Sequence, residues 1–209
     1  MWPTMSNYIV KKVLSIFLTG IAIKLMDDHV DQDIDSMLNK SSLAAIIGNG
    51  IVTYVLFVFS LGCVFDVKTS ASLFLASFTL GMANNVTAKM PSGLYGYQES
   101  IIGLVFGLFM LGSSDMLSSL FVMAVIQLLD DYLDFSKDIV SKKNWAFILG
   151  KMECLILAAM FFLASIYFDY VKALASIIFM PIIVYIINIL SIRTLKLKKM
   201  QGKVWKHVA

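Results

Sequence analysis

The chain has 209 residues, of which 59% are hydrophobic and 15% are charged, and its mean hydropathy is +0.82. Ordinary soluble domains carry about a quarter charged residues, so this composition argues against one or two soluble domains and favours a single membrane domain over residues 1–209. The net charge of +3 comes largely from a basic tail at residues 193–209. A basic segment just past an apolar run is typical of a cytoplasmic anchor, and we expect no nucleic-acid partner.

The apolar runs predict an all-α, polytopic transmembrane bundle of about seven helices. A helix needs about 20 mostly apolar residues to span a bilayer, and continuous runs argue against the alternating pattern of a β-barrel. A weak signal-peptide pattern near Lys11 and Lys12 lacks a small-residue cleavage site, so the first run is taken as a retained helix. The predicted spans are residues 8–26, 43–63, 69–85, 99–113, 115–131, 145–168 and 171–192.

The connections between these spans alternate between short and long. The long ones are residues 27–42, 86–98 and 132–144, and they hold most of the connecting lysines. Lysine-rich connections remain cytoplasmic. We therefore predict an integral, multi-pass membrane protein with its N-terminus outside and its C-terminus inside.

Nine of the fourteen acidic residues lie in two short segments. We name residues 27–35 the first acidic segment and residues 130–138 the second acidic segment. Both read DDxxDxxxD, with an offset of 103 residues, and the preceding residues also align, which predicts an internal repeat. The matched aspartates are Asp27, Asp28, Asp31 and Asp35 in the first, and Asp130, Asp131, Asp134 and Asp138 in the second.

On a helix, residues three and four apart share a face. Asp28, Asp31 and Asp35 then form one acidic stripe edged by Asp27, whereas Asp33 falls on the other side. The second acidic segment forms the same stripe. So many like charges repel one another, and charge at a membrane edge is costly.

A divalent cation resolves this conflict, because Mg²⁺ prefers oxygen ligands and is typically held by carboxylates together with substrate phosphates. The two stripes are therefore predicted to hold two or more Mg²⁺ ions that bridge a diphosphate. Metal ions in this position act as Lewis acids and as a template. Lys24 lies four residues before Asp28 on the same face, so it pairs with an aspartate or reaches a phosphate oxygen.

With both motifs in view, the chain resembles the UbiA superfamily of intramembrane prenyltransferases. That family carries NDxxDxxxD on its second helix and a related aspartate motif on its sixth. Here the motifs fall on the first and fifth predicted spans, which are also four apart. Asp27 stands in the asparagine position, and the chain has fewer spans than the family usually has.

The resemblance implies an enzyme that acts on an isoprenoid diphosphate with Mg²⁺. Asp28, Asp31, Asp131 and Asp134 would be the catalytic aspartates, and all eight matched aspartates would bind metal. The basic residues that hold diphosphate would be Lys40 and either Lys142 or Lys143, with Lys24 nearby. The prenyl group would pass to an aromatic or lipid acceptor, or cyclise. Candidate aromatic side chains that face the resulting carbocation are Tyr95, Tyr97, Phe106 and Phe109.

Two alternatives use the same residues. A divalent-cation transporter would place acidic residues midway through spans, whereas these lie at helix ends, which favours phosphate chemistry. A non-catalytic membrane scaffold would keep the metal site without the reaction. The sequence leaves this choice open.

Overall fold

The computed structural model describes residues 2–30, 32, 43–84, 86–135 and 144–208. The regular elements of this part of the chain are helices, which confirms the all-α class, whereas the transmembrane bundle stays a prediction. The elements are α1 (Trp2–Val30), α2 (Leu43–Ile47), a 3-10 turn (Gly48–Gly50), α3 (Ile51–Phe65), α4 (Val67–Ala83), α5 (Gly96–Leu111), α6 (Ser113–Asp134), α7 (Trp145–Leu149) and α8 (Lys151–Val208).

The longest helix, α8, is broken at Asp169, whose backbone is extended (φ −159°, ψ 91°). We name residues 151–168 α8a and residues 170–208 α8b. Two helical stretches are long and apolar enough to cross a membrane, Ser113–Leu133 and Lys151–Thr194. Three further apolar helices, α3, α4 and α5, are shorter.

The 103-residue repeat extends well beyond the acidic segments. Asp66, which separates α3 from α4, has nearly the same backbone conformation as Asp169 (φ −154°, ψ 102°). Each aspartate caps the helix that follows it: Asp66 accepts from the Thr69 N–H at 3.2 Å, and Asp169 from the Lys172 N–H at 3.1 Å. A side-chain acceptor at this position satisfies an N–H that the helix itself leaves unpaired.

Burial follows the same repeat. Every buried position of α1 between Ser15 and Leu25 has a buried counterpart in α6, 103 residues later. The pairs are Ser15 and Ser118, Ile16 and Ser119, Thr19 and Val122, Ala22 and Val125, Leu25 and Leu128. We therefore divide the bundle into unit 1 (α1, α3, α4) and unit 2 (α6, α8a, α8b), with α5 between them.

Three hydrophobic clusters follow the same repeat. One outer cluster contains Leu25, Leu43, Ile51 and Val55, and the other contains their counterparts Leu128, Ala146, Cys154 and Ala158. A central cluster joins one helix pair from each unit, through Ile16, Leu73, Val122 and Ala173. Helix α1 contacts α8b as α6 contacts α4. Such reciprocal contacts are those of an approximate twofold axis along the helices.

Candidate functional site

The first acidic segment begins on the last turns of α1, where it meets a lysine from the same helix. Lys24 Nζ lies 2.9 Å from Asp27 Oδ2 and 3.0 Å from Asp28 Oδ1. The side chain of Asp28 is 15% exposed, whereas that of Asp27 is 54% exposed. Of the two roles predicted for Lys24, the structure bears out pairing with aspartate. The pair marks this helix end as a place where a cation is held between two carboxylates.

The second acidic segment is fixed to the short helix α7. Asp131 Oδ2 accepts from the Trp145 N–H at 2.9 Å, and Asn144 Nδ2 donates to the Asp131 carbonyl at 3.1 Å. Asn144 also caps α7, because its Oδ1 accepts from the Ala146 N–H at 2.8 Å. Trp145 Nε1 donates in turn to Asn84 Oδ1 at 3.2 Å. The connection after α4 therefore lies at the same end of the bundle as the second acidic segment, as predicted.

At the opposite end of the bundle, four charged side chains fix the position of α1 relative to α6 along the bundle axis. Lys12 Nζ lies 2.6 Å from Asp169 Oδ2, while Lys172 Nζ lies 3.5 Å from Asp115 Oδ1 and 4.0 Å from the same Asp169 oxygen. Counted from Lys12 and from Asp115, the second aspartate of each acidic segment is 16 residues further along its helix. At about 1.5 Å per residue, both segments lie about 24 Å from the ion pairs, at one level.

The two acidic segments begin one helical turn beyond the central cluster. Ile23 on α1 and Ile126 on α6 pack against that cluster. Asp27 and Asp130 each lie four residues further along, hence about one turn beyond. The side chain of Asp28 is more enclosed than that of Asp27, with 15% against 54% exposed.

Several predicted site residues lie outside the described residues: Asp31, Asp35, Lys40, Asp138, Lys142 and Lys143. Asp134 ends α6, and only its backbone is described. Within the described ranges, no group of three or more His, Cys, Asp or Glu side chains is close enough to hold a metal ion. The described residues therefore supply parts of the predicted Mg²⁺ site from each unit, and the full ligand set stays a prediction.

The candidate aromatic residues for facing a carbocation lie on the outside of the described structure. Phe106 and Phe109 are 55% and 87% exposed and line an open apolar surface on the outer side of α5. Tyr95 and Tyr97 are also exposed and stack on each other, with ring centroids 6.1 Å apart. This exposure agrees with the ordinary expectation for aromatic residues in an apolar helix, which is contact with lipid or packing.

Two features at the aspartate end escaped the sequence interpretation. Asn144 precedes an apolar run, which is the ordinary signal of a helix N-cap, and it could have been read that way. Lys151, at the start of α8, places its Nζ 4.9 Å from the Tyr132 ring centroid and 5.8 Å from that of Phe135. Phe135 also stacks on Phe147 of α7 at 4.7 Å. This aromatic contact brings the start of α8a against the end of α6, and only the tertiary structure shows it.

No protein-family model, curated protein or solved structure matches this chain.

Proposed function

We propose that this protein is a Mg²⁺-dependent membrane enzyme that acts on an isoprenoid diphosphate, in the manner of the UbiA superfamily that its motifs resemble. One observation carries the proposal. The two acidic segments begin at equivalent places in the two units, at one level and at one end of the bundle, where Lys24 pairs with Asp27 and Asp28. Carboxylates from both units would bind the cations that accompany a diphosphate.

The residues present fit Mg²⁺ by their chemistry. Carboxylate oxygens are its preferred protein ligands, and Lys24 already bridges Asp27 and Asp28, so this helix end attracts a cation. When bound, Mg²⁺ would neutralise the charge that develops on the departing diphosphate. Asp27, Asp28, Asp130 and Asp131 would hold the ions, together with the aspartates outside the described residues. Lys24 would turn from the carboxylates to a phosphate oxygen as the ions arrive.

The reaction then needs no further cofactor. The allylic C–O bond breaks, and the diphosphate leaves with the bonding electron pair. The allylic cation forms a bond to an acceptor carbon or to a double bond of its own chain, and a proton is lost to water or diphosphate. The hydrogen bonds of Asp131 to α7 keep this helix end in place while charge moves from the substrate to the leaving group.

The proposed enzyme lies within a membrane. The long apolar stretches in α6 and α8 and the many exposed large hydrophobic side chains are suited to lipid contact. A substrate with a long apolar chain and a charged head fits a bundle whose acidic groups lie at one end. The predicted orientation places that end at the cytoplasmic surface, where isoprenoid diphosphates and Mg²⁺ are accessible.

The test is diphosphate release by the purified protein in lipid nanodiscs, with geranyl, farnesyl and geranylgeranyl diphosphate and Mg²⁺. We expect release with at least one donor. Asp28→Asn and Asp131→Asn should each lower the rate by about 100-fold or more, since several kcal/mol of charge stabilisation are lost and each 1.36 kcal/mol is about tenfold. Asp33→Asn is the matched control, because it removes the same charge from the first acidic segment at a position that sequence spacing predicts to lie off the acidic stripe.

Equal loss in Asp33→Asn would show that net charge matters rather than a built site. Absence of release from every donor, with Mg²⁺ binding retained by calorimetry, would refute the enzyme and favour a scaffold or a cation transporter.

A further inference from the structure

The internal repeat is complete for three helices of each unit but leaves α5 without a counterpart. In unit 1, the chain leaves α4 and folds back as α5. The position 103 residues after the start of α5 is residue 199, and there α8b continues without interruption to Val208. Within the described residues, no helix of unit 2 folds back as α5 does. The surface that the 103-residue repeat relates to the α5-covered surface can therefore be compared directly with it.

The surface that α5 covers is formed by α4 of unit 1 and α6 of unit 2, and it requires small residues on α5. A Cβ atom on Gly107 would lie 2.6 Å from Met116 Sδ and 2.9 Å from Leu75 Cδ2, and one on Gly103 would lie 3.2 Å from Thr79 Oγ1. These contacts run in opposite directions along α4 and α5, so the two helices are antiparallel. Glycines four residues apart let helix backbones approach closely, as in small-xxx-small membrane interfaces.

The equivalent surface, formed by α8b of unit 2 and α1 of unit 1, is an open apolar groove. The 103-residue repeat relates Met116 to Val13 and Leu75 to Ile178. Val13 and Ile178 line the same surface cavity between α1 and α8b. Valine is smaller than methionine and isoleucine has the volume of leucine, so these two positions leave room for a helix, whereas Ile182, the counterpart of Thr79, is the larger residue of its pair. Leu174 and Val171 extend it along α8b.

The residues of this groove are more exposed than their counterparts beneath α5. Met116 is completely buried and Thr79 is 4% exposed beneath α5, whereas their counterparts are the half-buried Val13 and Ile182, which is 42% exposed. Ile178 is 59% exposed. The fold repeats on both sides of the axis, but only one side has its fourth helix.

We propose that this groove, formed by Val13, Val171, Leu174 and Ile178, binds one apolar transmembrane helix of a partner protein. The partner helix carries two small residues four apart and lies antiparallel to α8b, as α5 lies against α4. A second copy of this chain fits less well, because α5 and the groove lie on opposite sides of the twofold axis. Pairing α5 with the groove would be head-to-tail and would form open chains rather than a closed dimer.

The probe is a synthetic transmembrane helix with the sequence of residues 94–114, which contains both glycines. It carries a bromoacetyl group and is added to the full chain in phosphatidylcholine nanodiscs. Ile178→Cys should be alkylated at least tenfold faster than Ile101→Cys, a matched control that is 55% exposed on the outer apolar side of α5. A second probe with leucine in place of Gly103 and Gly107 should lose this preference.

Equal alkylation at the two positions would overturn the proposal, since it would show that the groove is only a lipid-exposed surface. An undiminished preference with the leucine probe would overturn the requirement for small residues. Disulfide-linked dimers of Ile178→Cys without any probe would assign the groove to a second copy instead. None of these results depends on diphosphate release, so this proposal and the proposed function fail separately.

Discussion

The buried lysine at the end opposite the acidic segments gives a sharp test of the fold. Lys172 is completely buried, and its ammonium group joins three helices. Nζ donates to Ser119 Oγ at 3.0 Å, to the Asp115 carbonyl at 3.1 Å and to Ser72 Oγ at 3.3 Å. Asp115 and Asp169 supply the opposite charge. We consider Lys172→Met, which keeps most of the side-chain volume and removes only the charge and its hydrogen bonds.

Removing one partner of a buried ion pair typically costs about 3–5 kcal/mol, because the other charge is left uncompensated. Here Asp169 keeps Lys12, and Asp115 is 31% exposed on its side chain, so we expect the lower end, about 3 kcal/mol. For a chain of this size, 1 kcal/mol lowers the Tm by about 2–4 °C, so the expected shift is about 6–12 °C. Circular dichroism of the protein in nanodiscs measures it.

The control is Lys68→Met, which removes an exposed lysine from the first turn of α4 and should change the Tm by less than about 2 °C. Adding Asp115→Asn to Lys172→Met should restore more than about 1 kcal/mol, because the uncompensated carboxylate is then gone. An unchanged Tm in Lys172→Met, or a double variant no more stable than the single one, would refute this account of the network.

Two further predictions concern helix packing and capping. Gly107→Leu should lower stability by about 1–3 kcal/mol, because the new side chain meets Met116 and Leu75, and the same Tm measurement checks it. A Tm equal to that of the parent protein would mean that α5 is seated differently. Asp66→Ala should cost about 1 kcal/mol, because the Thr69 N–H and hydroxyl both lose their acceptor, whereas Asp66→Asn should cost less. An alanine variant as stable as the asparagine variant would contradict this capping role.

The helices and the repeat were predictable because they depend on local properties of the chain. The break at Asp66 was predicted as the short connection 64–68, and the break at Asp169 as residues 169–170, since apolar runs stop there. The predicted spans 43–63 and 145–168 were less accurate, because each contains a short helix followed by a turn at glycine. Gly150, with φ +107°, adopts a backbone conformation that side chains other than glycine rarely take, and hydropathy does not register such a break.

The sequence could not show which faces of the helices meet. Spacing gives relative angles on one helix but not the direction of the neighbouring helix. The burial of Ile16 and Val122 in one cluster supplied that direction for α1 and α6. Lys172 went unnoticed for a related reason, since a lone lysine at a helix start is ordinarily a surface residue, and only the surrounding serines and aspartates make burial tolerable.

The sequence by itself determined the helical class, the two acidic segments and their common register, because apolar runs and 103-residue spacing are properties of the chain alone. The tertiary structure decided that both segments begin at one level, that α5 covers only one of two equivalent surfaces, and that four charged side chains pair at the opposite end of the bundle. These depend on contacts between residues far apart in the chain, where packing and desolvation, rather than local propensity, choose the arrangement.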